Sequence, residues 1–231
     1  MKTDLWVRSV KRYVLPELPG SWNVRGPLLY REPVDWLLCC ISLDNSRFSS
    51  NFSVARTVQL LAVPSRYLGG PESRVLGQGA AQRSLWEAPE TVADAESVMG
   101  EVLDHIRREA MPVFDSIGTL PGYQTPAEER AQRQPNNVHY QEEVFCLRLI
   151  QGDTTGALRA AKDLQRSNET RSWADAIRAR VAHTAEVAAQ NPEQALDMLR
   201  DNIATSKANL RLPTWDTQKT HPWPVPKLGR E

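Results

Sequence analysis

The chain divides into two stretches that differ in the spacing of their apolar residues. Short apolar runs typical of β-strands fill residues 22–61, whereas from Glu90 to Leu210 most apolar residues recur at the spacing of amphipathic helices. Strands that precede a run of helices, rather than alternating with them, are typical of α+β proteins. The sequence therefore predicts a small antiparallel β-sheet covered by helices, followed by an all-helical portion of two helical hairpins.

Four strands are predicted in the first stretch, after a short helix over residues 4–15. They cover residues 21–24, 28–31, 34–43 and 51–63. The connections between them are short, so consecutive strands should pair as antiparallel neighbours. The third strand carries apolar side chains on both of its faces and should therefore lie at the centre of the sheet, covered on both sides.

The remainder of the first half is predicted to be a loop and a helix. Residues 64–89 are rich in Gly, Pro, Ser and Arg without clear periodicity, which predicts a long loop. From Thr91 to Ile106 the apolar residues follow a helical stripe that continues beyond Pro112 and should lie across the sheet. The polar segment 121–137 is predicted to be a linker.

The helical half contains a faint internal repeat. Residues 144–158 and 182–196 align at an offset of 38, and each reads as a helix, a tight polar turn and a second helix. Asp153 and Asn191 are predicted to cap the second helix of each pair. Two such pairs are similar to the helical hairpins of tetratricopeptide-type arrays, but they are too few to be stable alone. They should pack on the first half or on a partner.

These boundaries predict four regions. They are an α+β sheet domain at residues 1–120, a linker at 121–137, a helical hairpin region at 138–212 and a Pro-rich extended tail at 213–231. The tail fits two interpretations. Trp215 and Trp223 can strap it over the core, or its prolines can present a polyproline ligand to a groove in another protein.

Composition excludes several partners. Lys and Arg number 28, as do Asp and Glu, so the chain is formally neutral and should capture neither nucleic acid nor an anionic membrane. No apolar run approaches the length of about 18 residues that a membrane span requires. The cysteines Cys39, Cys40 and Cys146 lack metal-type or redox-type spacing, so they should be small buried side chains in a reducing, cytoplasmic environment.

No motif for catalysis is present in the sequence. His139 with Glu142 and Glu143, and His183 with Glu186, are neighbours on predicted helices, but neither set matches a zinc helix. A nucleophile elbow and a phosphate-binding loop are also missing. We therefore predict no catalytic residue, no metal and no cofactor, and we expect a protein that is not an enzyme, although a convergent catalytic site stays open.

The order of elements resembles an uncharacterised bacterial family, a domain of unknown function that starts with a helix and runs through short antiparallel strands into helices. The residues that carry the resemblance are Leu28–Arg31, Trp36–Leu43, Asn51–Val54, Ile106–Asp115 and the turn at Gly152–Asp153. The resemblance covers most of residues 1–210 and supplies no catalytic residues. Some proteins of similar build occur beside toxin genes, which implies a binding role.

Two functional hypotheses follow from these observations. The first is a cytoplasmic protein-interaction protein of the adaptor or immunity type, whose candidate binding residues Arg31, Trp36, Arg56 and Trp173 are of the types that dominate protein interfaces. Its protein partner and its oligomeric state are unknown. The second is a protein that binds a small anionic ligand, or an enzyme, with Arg56 clamping the anion in a pocket between sheet and helices.

Overall fold

A computed structural model of the chain describes residues 1–45, 50–77 and 85–213. It has two compact units. Among the described residues, the sheet unit comprises those of Met1–Leu60 and Leu68–Thr119, and the helical unit comprises Leu61–Tyr67 and residues 120–213. The protein is thus α+β with a C-terminal helical portion, as the sequence predicts. The predicted first domain, residues 1–120, differs in one respect, because segment 61–67 belongs to the helical unit.

The sheet unit is built on an antiparallel sheet. Its described strands are β1 (Trp22–Arg25), β2 (Leu28–Arg31), β3 (Leu37–Asn45), β4 (Asn51–Leu60), β5 (Arg74–Val75) and β6 (Trp86–Glu87). The first four pair in chain order, and both β5 and β6 pair with the far edge of β4. The predicted 64–89 loop therefore needs correction, because two of its short segments extend the sheet.

Strand β3 lies at the centre of the sheet, as its two apolar faces predict. Leu38, Cys39, Cys40 and Ile41 are consecutive and all buried, so both faces of the strand are covered. The strand begins three residues later than predicted. Leu37 pairs with Leu60, the last residue of β4, so the residues before Leu37 have no strand to pair with.

The sheet unit has one run of helices before β1 and a second run after β6. The first, α1 (Thr3–Ser9), continues into a π-helical turn and a 3₁₀ turn that ends at Glu17. The second run consists of α2 (Ala95–His105), a π-helical turn and α3 (Met111–Ile117). Phe114 of α3 packs against Trp22 of β1, with ring centroids 5.9 Å apart, so this run covers the sheet as predicted.

The helical unit contains the two predicted hairpins. They are formed by α5 (Val138–Ile150) with α6 (Thr154–Gln165), and by α7 (Ser172–Gln190) with α8 (Pro192–Asn209). Both predicted caps are confirmed, because the side chains of Asp153 and Asn191 accept hydrogen bonds from backbone N–H groups of α6 and α8 at 2.8 and 3.2 Å. Gly152 turns the chain between α5 and α6 at a φ of +82°, which glycine adopts without strain.

A further helix replaces most of the predicted linker, which corrects that prediction. Helix α4 (Leu120–Arg133) contains Pro126 in its interior, where proline removes a hydrogen bond and disfavours helix. Its buried residues Tyr123, Ala127 and Ala131 are spaced by four and form one stripe that packs in the helical unit. Burial of this stripe offsets the cost of the proline. The predicted tail lies outside the described residues beyond Pro213.

Candidate functional site

Arg31 and Trp36, two of the predicted binding residues in the sheet unit, have surroundings that suit a structural role. Arg31, in β2, makes an ion pair of 3.0 Å with Asp115 in α3, and both side chains are well exposed. Exposed pairs of this kind contribute little to stability. Trp36 is half-buried in the turn before β3. Arg31 and Trp36 therefore do not form an exposed aromatic surface together.

Arg56 lies on β4 opposite Arg74 of β5. Its Nη1 donates a hydrogen bond of 3.3 Å to the backbone carbonyl of Glu72, and burial lowers the pKa of the guanidinium while the Glu72 charge opposes this shift. Among the described residues Arg56 forms no ion pair closer than 4.0 Å. Its half-buried side chain thus ends on a carbonyl group at the sheet edge.

Trp173, the predicted binding residue of the helical unit, stands in the first turn of α7. The apolar stripe that anchors α7 consists of Ala174, Ile177, Val181, Thr184 and Ala188. The indole of Trp173 lies beside this stripe, and 36 % of the residue is exposed. A large aromatic side chain on the surface is thus available for contacts.

Two side chains stack on the indole of Trp173. The His139 ring, from the first turn of α5, lies nearly parallel to it with centroids 4.6 Å apart. The guanidinium carbon of Arg171 lies 4.7 Å from the indole centroid, within the range of a cation–π contact. We call His139, Glu169, Arg171, Trp173 and Arg180 the α5–α7 surface.

Electrostatics fix the orientation of Arg171 in this surface. Its Nε and Nη2 donate hydrogen bonds of 2.9 and 2.6 Å to the two carboxylate oxygens of Glu169. These bonds lower the pKa of Glu169 to about 2. The pKa of His139 is also lowered, first by burial against its neighbours and then by the charges of Arg180 and Arg171. The stacked imidazole is therefore neutral at pH 7.

An ion pair between Arg180 and the buried Glu142 joins the two helices that carry the α5–α7 surface. Arg180 of α7 donates from Nε and Nη2 to one carboxylate oxygen of Glu142 on α5, at 2.8 and 2.7 Å. The other oxygen of Glu142 accepts no hydrogen bond from the described residues, and burial raises the pKa of this carboxyl group. On the other side of α5, Glu143 accepts hydrogen bonds from Tyr123 and Arg130 of α4. These pairs tie α5 to α7 and to α4.

Metal binding by His139 is disfavoured by this geometry. The His139 ring is stacked, and Glu142 is paired with Arg180. Within residues 1–45, 50–77 and 85–213, no group of three His, Cys, Asp or Glu side chains is arranged to hold a metal ion.

The sheet unit contains a second histidine contact that sequence reasoning missed. The Nδ1 atom of His105, in α2, lies 2.6 Å from Oε1 of Glu109. The Glu109 carboxylate also accepts hydrogen bonds from the Gly77 N–H. Burial raises the pKa of Glu109, but the bonds from His105 and Gly77 more than offset this and lower it. The pair resembles the base and orienting carboxylate of a catalytic triad, yet no described hydroxyl or thiol lies within hydrogen-bond distance of His105. It packs edge-on against Trp86 and anchors the end of the sheet.

A groove of about 430 Å³ lies elsewhere in the helical unit, between α4 and α6 with α5 at its floor. Ala131, Val144 and Ala160 contribute small apolar side chains to it, and Arg148 and Arg159 stand at its rim. This groove was not predicted from the sequence, because the segment that forms α4 was predicted to be a linker.

None of the protein-family models, curated proteins or solved structures with which the chain was compared matches it. The resemblance to an uncharacterised bacterial family therefore stays a prediction. No helix in the described part of the chain is both long and apolar enough to cross a bilayer.

Proposed function

We propose that the chain is a non-enzymatic, cytoplasmic protein-interaction protein of the adaptor or immunity type, and that it contacts its partner through the α5–α7 surface. The observation that carries the proposal is the stack of His139 and Arg171 on a Trp173 indole that is still 36 % exposed. Trp and Arg are the residue types enriched among the energetically dominant contacts of protein interfaces.

Preorganisation supports this role for the surface. Binding costs free energy when flexible side chains must be ordered, at about 0.5–1.5 kcal/mol for each such side chain. Arg171 is already held by two hydrogen bonds to Glu169, and the indole of Trp173 is held by the two groups stacked on it. A partner that covers the surface therefore orders few additional side chains.

Pairing of charges favours a protein over a polyanion as the partner. The cations Arg171 and Arg180 are each matched by a carboxylate, Glu169 and Glu142. Nucleic-acid binding depends on cations that are free to replace counterions along the phosphate backbone. The three cysteines are free and buried, which fits a reducing compartment such as the cytoplasm.

The alternative hypothesis, a small anionic ligand clamped by Arg56, stays a prediction with less support. Arg56 donates to the Glu72 carbonyl, and neither the groove between α4 and α6 nor the groove beside Trp86 contains it. A ligand site would require the guanidinium to exchange that carbonyl for an anion.

Affinity capture with variants tests the proposal. The tagged full chain, its Trp173→Ala variant and its Tyr67→Ala variant would each be used on native lysate, with quantitative mass spectrometry of the bound proteins. Tyr67 is the matched control, because it is an aromatic residue of the same unit that is 80 % exposed. We expect a stoichiometric partner with the wild type and with Tyr67→Ala, and its loss with Trp173→Ala.

Retention of the partner by Trp173→Ala would contradict the assignment to this surface. Circular dichroism of the variant should match that of the wild type, because the truncated side chain is partly exposed. Recovery of a bound metabolite without any protein partner would overturn the proposal and favour the ligand hypothesis.

A further inference from the structure

The groove between α4 and α6 has the dimensions of a peptide site. Its volume of about 430 Å³ lies within the usual range for ligand pockets, about 300–1,000 Å³. Along α6 it extends from Gly156 to Ser167, which at 1.5 Å per residue is about 16 Å of helix. An extended chain rises about 3.3 Å per residue, so roughly five residues would fill this length.

The walls of the groove are held in place by hydrogen bonds. At one end the Ser167 hydroxyl donates to the Asn136 carbonyl at 2.7 Å, which joins the end of α6 to the loop after α4. In the middle the Gln141 amide donates to the carbonyls of Ala131 and Pro135 at 3.3 and 3.4 Å. The groove is therefore formed before any ligand enters.

Arg148 closes the other end of the groove, and its charge is already matched. It makes ion pairs of 3.0 Å with Glu128 of α4 and 3.5 Å with Asp153 at the start of α6. Gly156 makes this arrangement possible, because a Cβ at that position would collide with the Arg148 guanidinium and the Asp153 carboxylate. Arg148 is thus a fixed part of the wall.

Arg159 is the cation that the groove leaves without a counter-ion. It is exposed, one position before the buried Ala160, and its side chain forms no ion pair or hydrogen bond with any described residue. Arg166, about two turns further along the same face, reaches only Asp163 at 3.7 Å, and both of those side chains are exposed. Because Arg148 and Arg166 have carboxylate partners, Arg159 is the arginine of the groove that is left for a ligand.

We propose that this groove binds a short, extended, acidic peptide segment of a partner protein. A carboxylate of the peptide would pair with Arg159 in the two-pronged geometry that guanidinium groups favour, and small side chains would pack over Ala131 and Ala160. The inference rests on the proposed function in one respect, because both require a protein partner. It uses a different face of α5 from the α5–α7 surface.

Selection from a random heptapeptide pool on the immobilised full chain tests this inference. We expect Asp and Glu to be enriched at least fivefold in the fraction bound to the wild type, as read by sequencing. Arg159→Glu should abolish that enrichment and favour Lys and Arg instead. Arg200→Glu is the matched control, since it makes the same charge change on an exposed position of α8 and should keep the acidic enrichment.

Two results would overturn the inference: a wild-type pool without acidic enrichment, or an enrichment that survives Arg159→Glu. The Trp173→Ala variant separates this inference from the proposed function. It should keep the acidic enrichment while it loses the captured partner, whereas loss of the enrichment in Trp173→Ala would place the acidic peptides on the α5–α7 surface and refute the groove.

Discussion

Replacing Arg180 by Met should strongly destabilise the helical unit, because it leaves the Glu142 carboxylate buried without its partner. Glu142 is 2 % exposed, and Arg180 gives it two hydrogen bonds of 2.8 and 2.7 Å. Removing one member of a buried pair costs about 3–5 kcal/mol. Arg180 itself is 34 % exposed, so water screens the pair and we expect the lower end, about 3 kcal/mol.

The destabilisation should depend on pH in a defined direction. Burial raises the pKa of Glu142 above 4.5, while the charge and hydrogen bonds of Arg180 oppose that shift. Without Arg180 the pKa in the folded state rises further. When folding raises the pKa of a carboxyl group, that group costs the folded state no stability below its unfolded-state pKa. Stability is then lost as the pH rises through the folded-state pKa, because the unfolded chain ionises more readily. The variant should therefore lose more stability at pH 7.5 than at pH 4.5.

Urea denaturation followed by circular dichroism at both pH values measures this effect. Arg133→Met is the control, because Arg133 pairs with Glu129 on the surface of α4 and both side chains are more than half exposed. Its loss should cost less than about 1 kcal/mol at either pH. The reasoning is refuted if Arg180→Met costs no more than Arg133→Met, or if its cost does not grow with pH.

Two further predictions concern packing. Gly156→Ala should destabilise the protein by about 1 kcal/mol, because the new Cβ displaces the capping carboxylate of Asp153. Gly100→Ala, with open space around its Cβ, should instead stabilise it by about 0.5–1 kcal/mol. Changes of the same sign in the free energy of unfolding, measured by urea denaturation, would contradict this. The three thiols should resist a thiol reagent at pH 8 until the protein unfolds, because they are buried and burial raises the pKa of Cys39 to about 12. Fast modification of the folded protein would contradict this prediction.

The sequence predicted the elements whose signals are local. Strands β1 to β4 follow from short apolar runs between Gly and Pro residues, and the caps Asp153 and Asn191 follow from turn chemistry. Helix α4 was missed because Pro121, Gly122 and Pro126 disfavour helix locally, while the burial that stabilises it comes from packing. Strands β5 and β6 are two residues each, too short to give a periodic pattern.

The candidate site was predicted only in part for a similar reason. Trp173 was selected as a large aromatic residue in a helix, but its contact with His139 joins positions 34 residues apart, which spacing within a helix cannot show. Arg171 is two residues from Trp173 and was a signal that the sequence did contain. Which arginine of the groove is left without a carboxylate partner depends on the ion pairs of the others, and only the folded structure decides that.

Hydrogen–deuterium exchange of the full chain with its captured partner tests the central claim most directly. We expect the partner to slow exchange in peptides covering residues 169–180 and 138–142, which contain the α5–α7 surface. Protection confined to the sheet unit, at Arg31, Trp36 or Arg56, would refute the α5–α7 surface as the binding site and place the interface on the sheet.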